Sequence, residues 1–165
     1  MKTKFIEGDL IKLARRGKFD LIMHGCNCHN TMGSGIARQI REYFPDAYKA
    51  DTVYSEQFKN RPYEKLGNYS YTRWHDGDHA TFLVVNAYTQ FDYLPRGMDH
   101  FEYASFAVIL QKLHHFYGNY DIGMPRIGCG LAGGDSERIL GMIEEFAQMC
   151  SEKGGTVTVV DYNGA

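Results

Sequence analysis

The sequence has no long hydrophobic run and little to mark an export signal. Its longest apolar stretches, such as 82–85 and 107–110, are far shorter than the roughly 20 residues that cross a bilayer. The charged residues Lys2, Lys4 and Glu7 interrupt the start of the chain, so no secretory signal peptide is predicted. We therefore expect an intracellular, cytoplasmic protein that does not bind membranes.

The sequence also lacks an excess of positive charge. Its 18 Lys and Arg face 20 Asp and Glu, which gives a formal net charge of −2. Proteins that bind nucleic acids in general neutralise phosphates with surplus Lys and Arg, so this activity is not expected. A small anionic ligand is compatible with the charge, because backbone amides can bind it without any charged side chain.

Cysteine is sparse, and its spacing is not that of a usual zinc site. The chain has four cysteines, which we expect to be reduced thiols inside a cell. His24, Cys26, Cys28 and His29 lie within six residues, a stretch too short to wrap easily around one tetrahedral ion. We therefore expect no metal and no cofactor. A cysteine nucleophile is an alternative, although buried cysteine commonly behaves as a small hydrophobic residue.

The apolar pattern predicts one domain, residues 1–165, in which strands and helices alternate. With 44% hydrophobic residues, the chain can bury a sizeable core. Strands are predicted at 4–7, 19–23, 68–74, 81–88, 121–125 and 156–161, and helices at 10–16, 33–44, 46–58, 99–117 and 137–153. This alternation is typical of an α/β domain with helices on both faces of the sheet.

Two glycine-rich loops each follow a predicted strand and precede a predicted helix. The first contains Gly33-Ser34-Gly35, and the second is RIGCGLAGGD at 126–135. Sheets of this class bind ligands at the carboxyl ends of their strands, and free N–H groups at a helix start attract anions. Neither loop is a Walker A or GxGxxG motif. We expect a ligand with two anionic groups, or a pyrophosphate, between the loops.

Three segments together resemble the macro domain family, which binds ADP-ribose. They are Gly8-Asp9-Leu10, HGCNCHNTMGSGIA at 24–37 and PRIGCGLAGGD at 125–135. The order of elements is also similar across nearly the whole chain. The resemblance implies a three-layer α/β/α fold with a central mixed, mostly parallel sheet. HGCN and GCGLAGGD are most similar to the branch of ADP-ribose-1″-phosphate phosphatases.

The resemblance also implies which residues bind the ligand. Asp9 would accept a hydrogen bond from the adenine amino group, Tyr162 would stack on adenine, and Asn27 would bind the distal ribose. Ordinary alternatives are a helix N-cap for Asp9, a surface aromatic for Tyr162 and a turn residue for Asn27. The remaining implied binding residues are Leu10, Gly33, Ser34, Gly35, Ile36, Gly128, Cys129, Gly130, Leu131, Ala132, Gly133 and Gly134.

The predicted reaction, hydrolysis of ADP-ribose 1″-phosphate, needs a proton donor and an activated water. His24, at the predicted end of a buried strand, is the candidate acid or phosphate ligand, and otherwise a core histidine. Asp135, after the second loop, is the candidate base, and otherwise the N-cap of the next helix. Asn27 completes the candidate catalytic set.

The loop at 86–97 departs from some relatives of this family. It contains no lysine, which argues against a lysine-adduct mechanism. Gln90 stands near that place and is predicted to orient a water or a ribose hydroxyl. Tyr88, Phe91 and Tyr93 either close over the ligand or pack the loop.

Two other functions stay open at this point. One is an ADP-ribosyl hydrolase that acts on modified protein or nucleic acid. The other is a reader that binds ADP-ribose without catalysis. The expected partners are accordingly ADP-ribose or its 1″-phosphate, and ADP-ribosylated macromolecules.

Overall fold

The computed structural model describes residues 1–95, 98–130 and 132–164, and the elements below refer to those residues. The strands are β1 (Lys4–Gly8), β2 (Leu21–Cys26), β3 (Tyr69–Asp76), β4 (Ala80–Tyr88), β5 (Asp121–Met124) and β6 (Thr156–Tyr162). The helices are α1 (Leu10–Arg15), α2 (Gly35–Tyr43), α3 (Pro45–Glu56), α4 (Tyr103–Tyr117) and α5 (Ser136–Glu152), with a short 3₁₀ helix at Pro62–Lys65. None of these helices is long and apolar enough to cross a membrane.

The described strands form one mixed sheet in the order β1-β6-β5-β2-β4-β3. β3 runs antiparallel to β4, and the other neighbouring pairs are parallel. The carboxyl ends of β1, β6, β5, β2 and β4 therefore meet at one edge of the sheet. The predicted three-layer fold with a mostly parallel sheet is confirmed.

The central strands bury side chains on both faces. In β2, Leu21 and Met23 join the core formed with α4 and α5, whereas Ile22 joins the core formed with α1, α2 and α3. In β4, Val85 joins the core formed with α4 and α5, and Val84 joins the core formed with α1, α2 and α3. This two-sided burial explains why the strands appear in the sequence as continuous apolar runs.

β2 extends beyond its predicted end and carries His24 inside the sheet. The prediction ended the strand at residue 23, but His24 and Cys26 pair with Asn86 and Tyr88 of β4. The strand can continue through a polar residue because His24 is hydrogen-bonded to Asn86 across the ladder. The edge of the sheet therefore lies after Cys26.

α4 begins at Tyr103, later than the predicted start at residue 99. Phe101 forms an isolated antiparallel bridge with Gln90, and the N–H of Glu102 donates to the carbonyl of Thr89 at 2.7 Å. These bonds satisfy the backbone hydrogen-bonding groups of residues 101–102 in an extended conformation, so the helix begins only after them. Residues 99–102 consequently pack against the loop that follows β4.

Candidate functional site

A cavity of about 560 Å³ lies between the two glycine loops, beyond the ends of β2 and β5. Its volume is within the range of about 300–1,000 Å³ that small-molecule sites occupy. The sequence-predicted residues that line it are Asn27, Gly33, Ser34, Gly35, Ile36, Gln90, Gly128, Gly130 and Ala132. The structure thus brings both loops and two polar side chains to one cavity.

The first loop enters α2 through a glycine that the backbone requires. Gly35 has a φ of +59°, in the left-handed region. No heavy atom lies within 4 Å of the place where its Cβ would be, so the requirement is conformational rather than steric. The first N–H groups of a helix have no acceptor within the helix. α2 therefore presents anion-binding amides beside the cavity.

Side chains hold the segment before α2 in one conformation. Asn27 donates from Nδ2 to Thr31 Oγ1 at 2.8 Å and accepts from the N–H of His29 at 2.8 Å. Asn30, at φ +57°, is hydrogen-bonded to Thr52 of α3 at 3.1 and 3.2 Å. Asn27 thus shapes the loop with both ends of its amide while it lines the cavity.

The glycines of the second loop divide into two kinds. A Cβ on Gly128 would lie 2.5 Å from the Phe101 ring, and one on Gly133 would lie 2.5 Å from the Met98 carbonyl oxygen. These glycines allow the loop to pack closely. Gly130 has no heavy atom within 4 Å of its Cβ position and lines the cavity, so it leaves open space there. Leu131 lies outside the described residues.

Arg126 is a cavity residue that the sequence analysis did not select. It lies two residues after the end of β5, lines the cavity, and donates from Nη2 to Asp161 Oδ2 at 3.1 Å. Its hydrogen bonding lowers the pKa of the Asp161 carboxyl below the usual value. The sequence feature that could have identified Arg126 is its position as a basic residue between a buried strand and a glycine loop, a place where anionic ligands bind.

His24 is fully buried and is not among the residues that line the cavity. Its Nε2 lies 2.7 Å from Asn86 Oδ1, and Asn86 Nδ2 in turn donates to the Ala47 carbonyl at 2.9 Å. This orientation of the Asn86 amide places the proton of His24 on Nε2. Burial lowers the pKa of His24 from 6.5 to about 4, so the imidazole is neutral at pH 7.

Asp135 is the N-cap of α5. Its carboxylate accepts from the N–H of Arg138 at 3.3 Å, and its own N–H donates to the Tyr103 hydroxyl at 2.9 Å. Asp135 is exposed and is not among the cavity-lining residues. The structure therefore does not bring Asp135 and His24 to one pocket.

The residues predicted for adenine lie at the same edge of the sheet as the cavity but do not line it. Gly8 of β1 pairs with Tyr162 of β6, which brings Asp9 and Tyr162 close together. Asp9 caps α1 by accepting from the N–H of Lys12 at 3.1 Å. Tyr162 is 66% exposed, whereas the Leu10 side chain is buried in the core.

The histidine–cysteine segment does not converge on one point. Burial raises the pKa of the Cys28 thiol to about 11 and that of Cys26 well above its ordinary value, so both are protonated at neutral pH. His29 turns outward and lies 2.7 Å from Asp92. Half-buried Cys129 donates to the Ile127 carbonyl. No group of three potential metal ligands occurs in the described part of the chain.

A buried polar network underlies the cavity and was also missed. Asp51 of α3 lines the cavity, and its Oδ1 accepts from the Tyr88 hydroxyl at 2.6 Å. Burial and the adjacent Asp51 raise the pKa of Tyr88 well above its ordinary value. Lys65, fully buried, lies 3.6 Å from Asp51 Oδ1. The available signal was an acidic residue four positions after Ala47, on the buried face of its helix.

Two relatives in sequence cover most of the chain, although no protein-family model matches it. An uncharacterized 17.5 kDa protein from the tk-vs intergenic region of Enterobacteria phage T4 is 36% identical, over 89% of this chain and 91% of its own length. An ADP-ribose 1″-phosphate phosphatase of Candida albicans is 29% identical, over 87% of this chain and 92% of that protein.

Solved structures with the same fold include macrodomains. A macrodomain protein from Streptomyces coelicolor superposes with a TM-score of 0.72 at 21% identity, over 99% of both chains. DarTG of Thermosipho africanus, in complex with ADP-ribose, gives 0.74 at 16% identity, over 98% of this chain and 42% of its own. This chain belongs to the macro domain family, near the branch that contains the yeast ADP-ribose 1″-phosphate phosphatases.

Proposed function

We propose that this chain binds ADP-ribose in the cavity between the glycine loops and hydrolyses ADP-ribose 1″-phosphate to ADP-ribose and inorganic phosphate. The observation that carries the proposal is the composition of the cavity wall. Gly35 and Gly130 leave open space there, the N-terminus of α2 adjoins it, and Arg126 adds a guanidinium. Helix N-terminal amides and arginine are the groups with which proteins bind phosphates.

The relatives support both the ligand and the reaction. The Candida albicans protein, which matches 87% of this chain, is an ADP-ribose 1″-phosphate phosphatase. The Thermosipho africanus structure of the same fold is a complex with ADP-ribose. A ligand with a diphosphate also agrees with two anion-attracting loops facing one cavity.

Polar side chains around the cavity suit the two ends of this ligand. Asn27 and Gln90 line the cavity, and their amides both donate to and accept from ribose hydroxyls. Asp9 and Tyr162 are adjacent at the ends of β1 and β6, where a carboxylate and an aromatic ring would receive adenine. We assign the diphosphate to the glycine loops between these groups.

In the proposed reaction, water attacks phosphorus and the bond from phosphorus to the anomeric oxygen breaks. That oxygen takes up a proton, which comes overall from the attacking water, and leaves as the hydroxyl of ADP-ribose. The backbone amides of the loops would stabilise the negative charge of the transition state. His24 and Asp135 do not line the cavity, so we assign them structural roles. His24 orients Asn86, and Asp135 caps α5.

Release of inorganic phosphate from ADP-ribose 1″-phosphate, in the presence of EDTA, tests the proposal. We expect multiple turnovers from the wild type. Asn27→Ala should lower kcat/KM by about tenfold or more. It removes an amide from the cavity, together with the hydrogen bonds to Thr31 and His29 that hold the loop. Gly141→Ala, in α5 and not among the cavity-lining residues, is the control and should turn over normally. No phosphate release by wild type that still binds ADP-ribose would overturn the phosphatase and leave a reader or a hydrolase of ADP-ribosylated macromolecules.

A second candidate, removal of ADP-ribose from a modified macromolecule, is favoured by the rim of the cavity. Tyr93 and Leu94 line the cavity and are 41% and 57% exposed, so they offer an apolar surface to a large substrate. Incubation with ADP-ribosylated protein and with ADP-ribosylated DNA distinguishes the candidates. Release of ADP-ribose from either, without phosphate release from the 1″-phosphate, would establish the second function in place of the first.

A further inference from the structure

Asp51 carries a buried oxygen that nothing in the described chain satisfies. The residue is 1% exposed and lines the cavity. Its Oδ1 accepts from the Tyr88 hydroxyl at 2.6 Å and from Ser55 Oγ at 3.3 Å, whereas Oδ2 has no hydrogen-bond partner among the described residues. Buried carboxylate oxygens are nearly always hydrogen-bonded, so Oδ2 is expected to receive a donor from outside the chain.

Lys65 lies beside this carboxylate and belongs to the same buried network. Its Nζ lies 3.6 Å from Asp51 Oδ1, donates to Ser55 Oγ at 2.6 Å and to the Cys28 carbonyl at 3.2 Å, and sits 4.4 Å from the centre of the Tyr88 ring. These contacts hold Oδ1 within the network. Oδ2 is consequently the carboxylate oxygen that is left without a donor among the described residues, on a residue that lines the cavity.

The chemistry of the donor follows from the charges around Asp51. The carboxylate and the Lys65 ammonium form a neutral buried pair, so no further cation is needed to compensate the charge. Cys26 and Asn27, which line the same cavity, are uncharged. A neutral O–H group therefore fits Oδ2, whereas a fully ionised phosphate, which has only acceptor oxygens, would leave it unsatisfied.

We propose that Asp51 Oδ2 accepts a hydrogen bond from a hydroxyl of the ligand's terminal sugar, and so distinguishes a nucleoside diphosphate that carries a second sugar from one that lacks it. This inference rests on the proposed function for the identity of the sugar, the distal ribose of ADP-ribose. It adds a specificity-determining residue on α3, outside both glycine loops.

Calorimetric titration with ADP-ribose and with ADP tests the inference. We expect wild type to prefer ADP-ribose over ADP. In the double variant Asp51→Asn/Lys65→Met, the ratio of ADP-ribose affinity to ADP affinity should fall by about tenfold or more, while the ADP affinity itself is kept. Since Tyr88 and Ser55 hold Oδ1, the new amide nitrogen would replace Oδ2 and turn an acceptor into a donor. Changing both residues avoids a buried, unpaired Lys65 cation.

Ser70→Ala is the matched control, because Ser70 belongs to the same network through the Tyr88 hydroxyl at 2.7 Å but does not line the cavity. It should keep the wild-type preference. A double variant that melts cooperatively and still prefers ADP-ribose would overturn the inference. Failure of wild type to bind ADP-ribose would instead overturn the proposed function.

A ligand comparison on wild type covers the case in which the double variant does not fold. An alkyl ester of ADP has the same phosphodiester charge as ADP-ribose and no terminal hydroxyls. We expect it to bind about tenfold or more weakly than ADP-ribose. Equal affinity for the two would show that no terminal hydroxyl is recognised, and the assignment to Asp51 would fail.

Discussion

At the scale of single residues, the fold keeps His24 neutral and makes stability depend on pH. Burial lowers its pKa from 6.5 to about 4 in the folded chain, so between these values the unfolded chain binds the extra proton. The stabilising contribution is complete above pH 6.5 and is lost as the pH falls towards 4, by about 3 kcal/mol in total. His24→Gln should remove this loss.

Urea unfolding at pH 7 and at pH 4.5 measures the effect. Wild type should lose more unfolding free energy between the two values than His24→Gln does. His79→Gln, which changes an exposed histidine in the turn between β3 and β4, should behave as wild type. An equal loss in wild type and His24→Gln would contradict the assigned burial of a neutral imidazole.

At the scale of elements, the two loops hold their glycines for different reasons. Gly128 is packed against Phe101, whereas Gly130 faces open space in the cavity wall. Gly130→Ala should therefore leave the melting temperature unchanged. It should weaken ADP-ribose binding by about tenfold, or about 1.4 kcal/mol, because the methyl group holds the ligand away from the backbone.

Gly141→Ala provides the comparison for that variant. Gly141 also has open space at its Cβ position but lies within α5, away from the cavity. The substitution should stabilise the protein by about 0.5–1 kcal/mol and leave binding unchanged. If Gly130→Ala bound ADP-ribose as tightly as Gly141→Ala does, the loop would not be the cradle.

At the scale of the whole molecule, Glu144 of α5 binds the first residues of the chain. Its carboxylate accepts from the N–H groups of Lys2 and Thr3 at 2.9 Å, and from Thr3 Oγ1 at 2.8 Å. These bonds lower the pKa of Glu144 from 4.5 to about 2. The stabilisation is complete above pH 4.5 and disappears as the pH falls through 2.

Glu144→Gln should therefore be less stable than wild type at pH 7, and the difference should shrink as the pH approaches 2. Chemical denaturation across this range checks it. Glu145→Gln, on an exposed neighbour in the same helix, should show no such pH-dependent difference. A constant gap between wild type and Glu144→Gln at every pH would argue against the lowered pKa.

The sequence predicted the layers and both glycine loops because these features are local. Buried strands appear in the sequence as contiguous apolar runs, and loops that need glycine appear as clusters of glycine residues. The burial of His24 depends on Asn86, which is 62 positions away in sequence. The Asp51 network likewise joins α3, the 3₁₀ helix and β4. No local pattern specifies such pairings, so only the folded chain displays them.

The most direct test of the central claim is an amide chemical-shift titration of the wild type with ADP-ribose. We expect saturable changes that are largest for the N–H groups of the two loops, at 33–36 and 128–134, with a smaller group of changes near Asp9 and Tyr162. Saturable changes confined to another surface, or none at high ligand concentration, would contradict the claim that this cavity binds ADP-ribose.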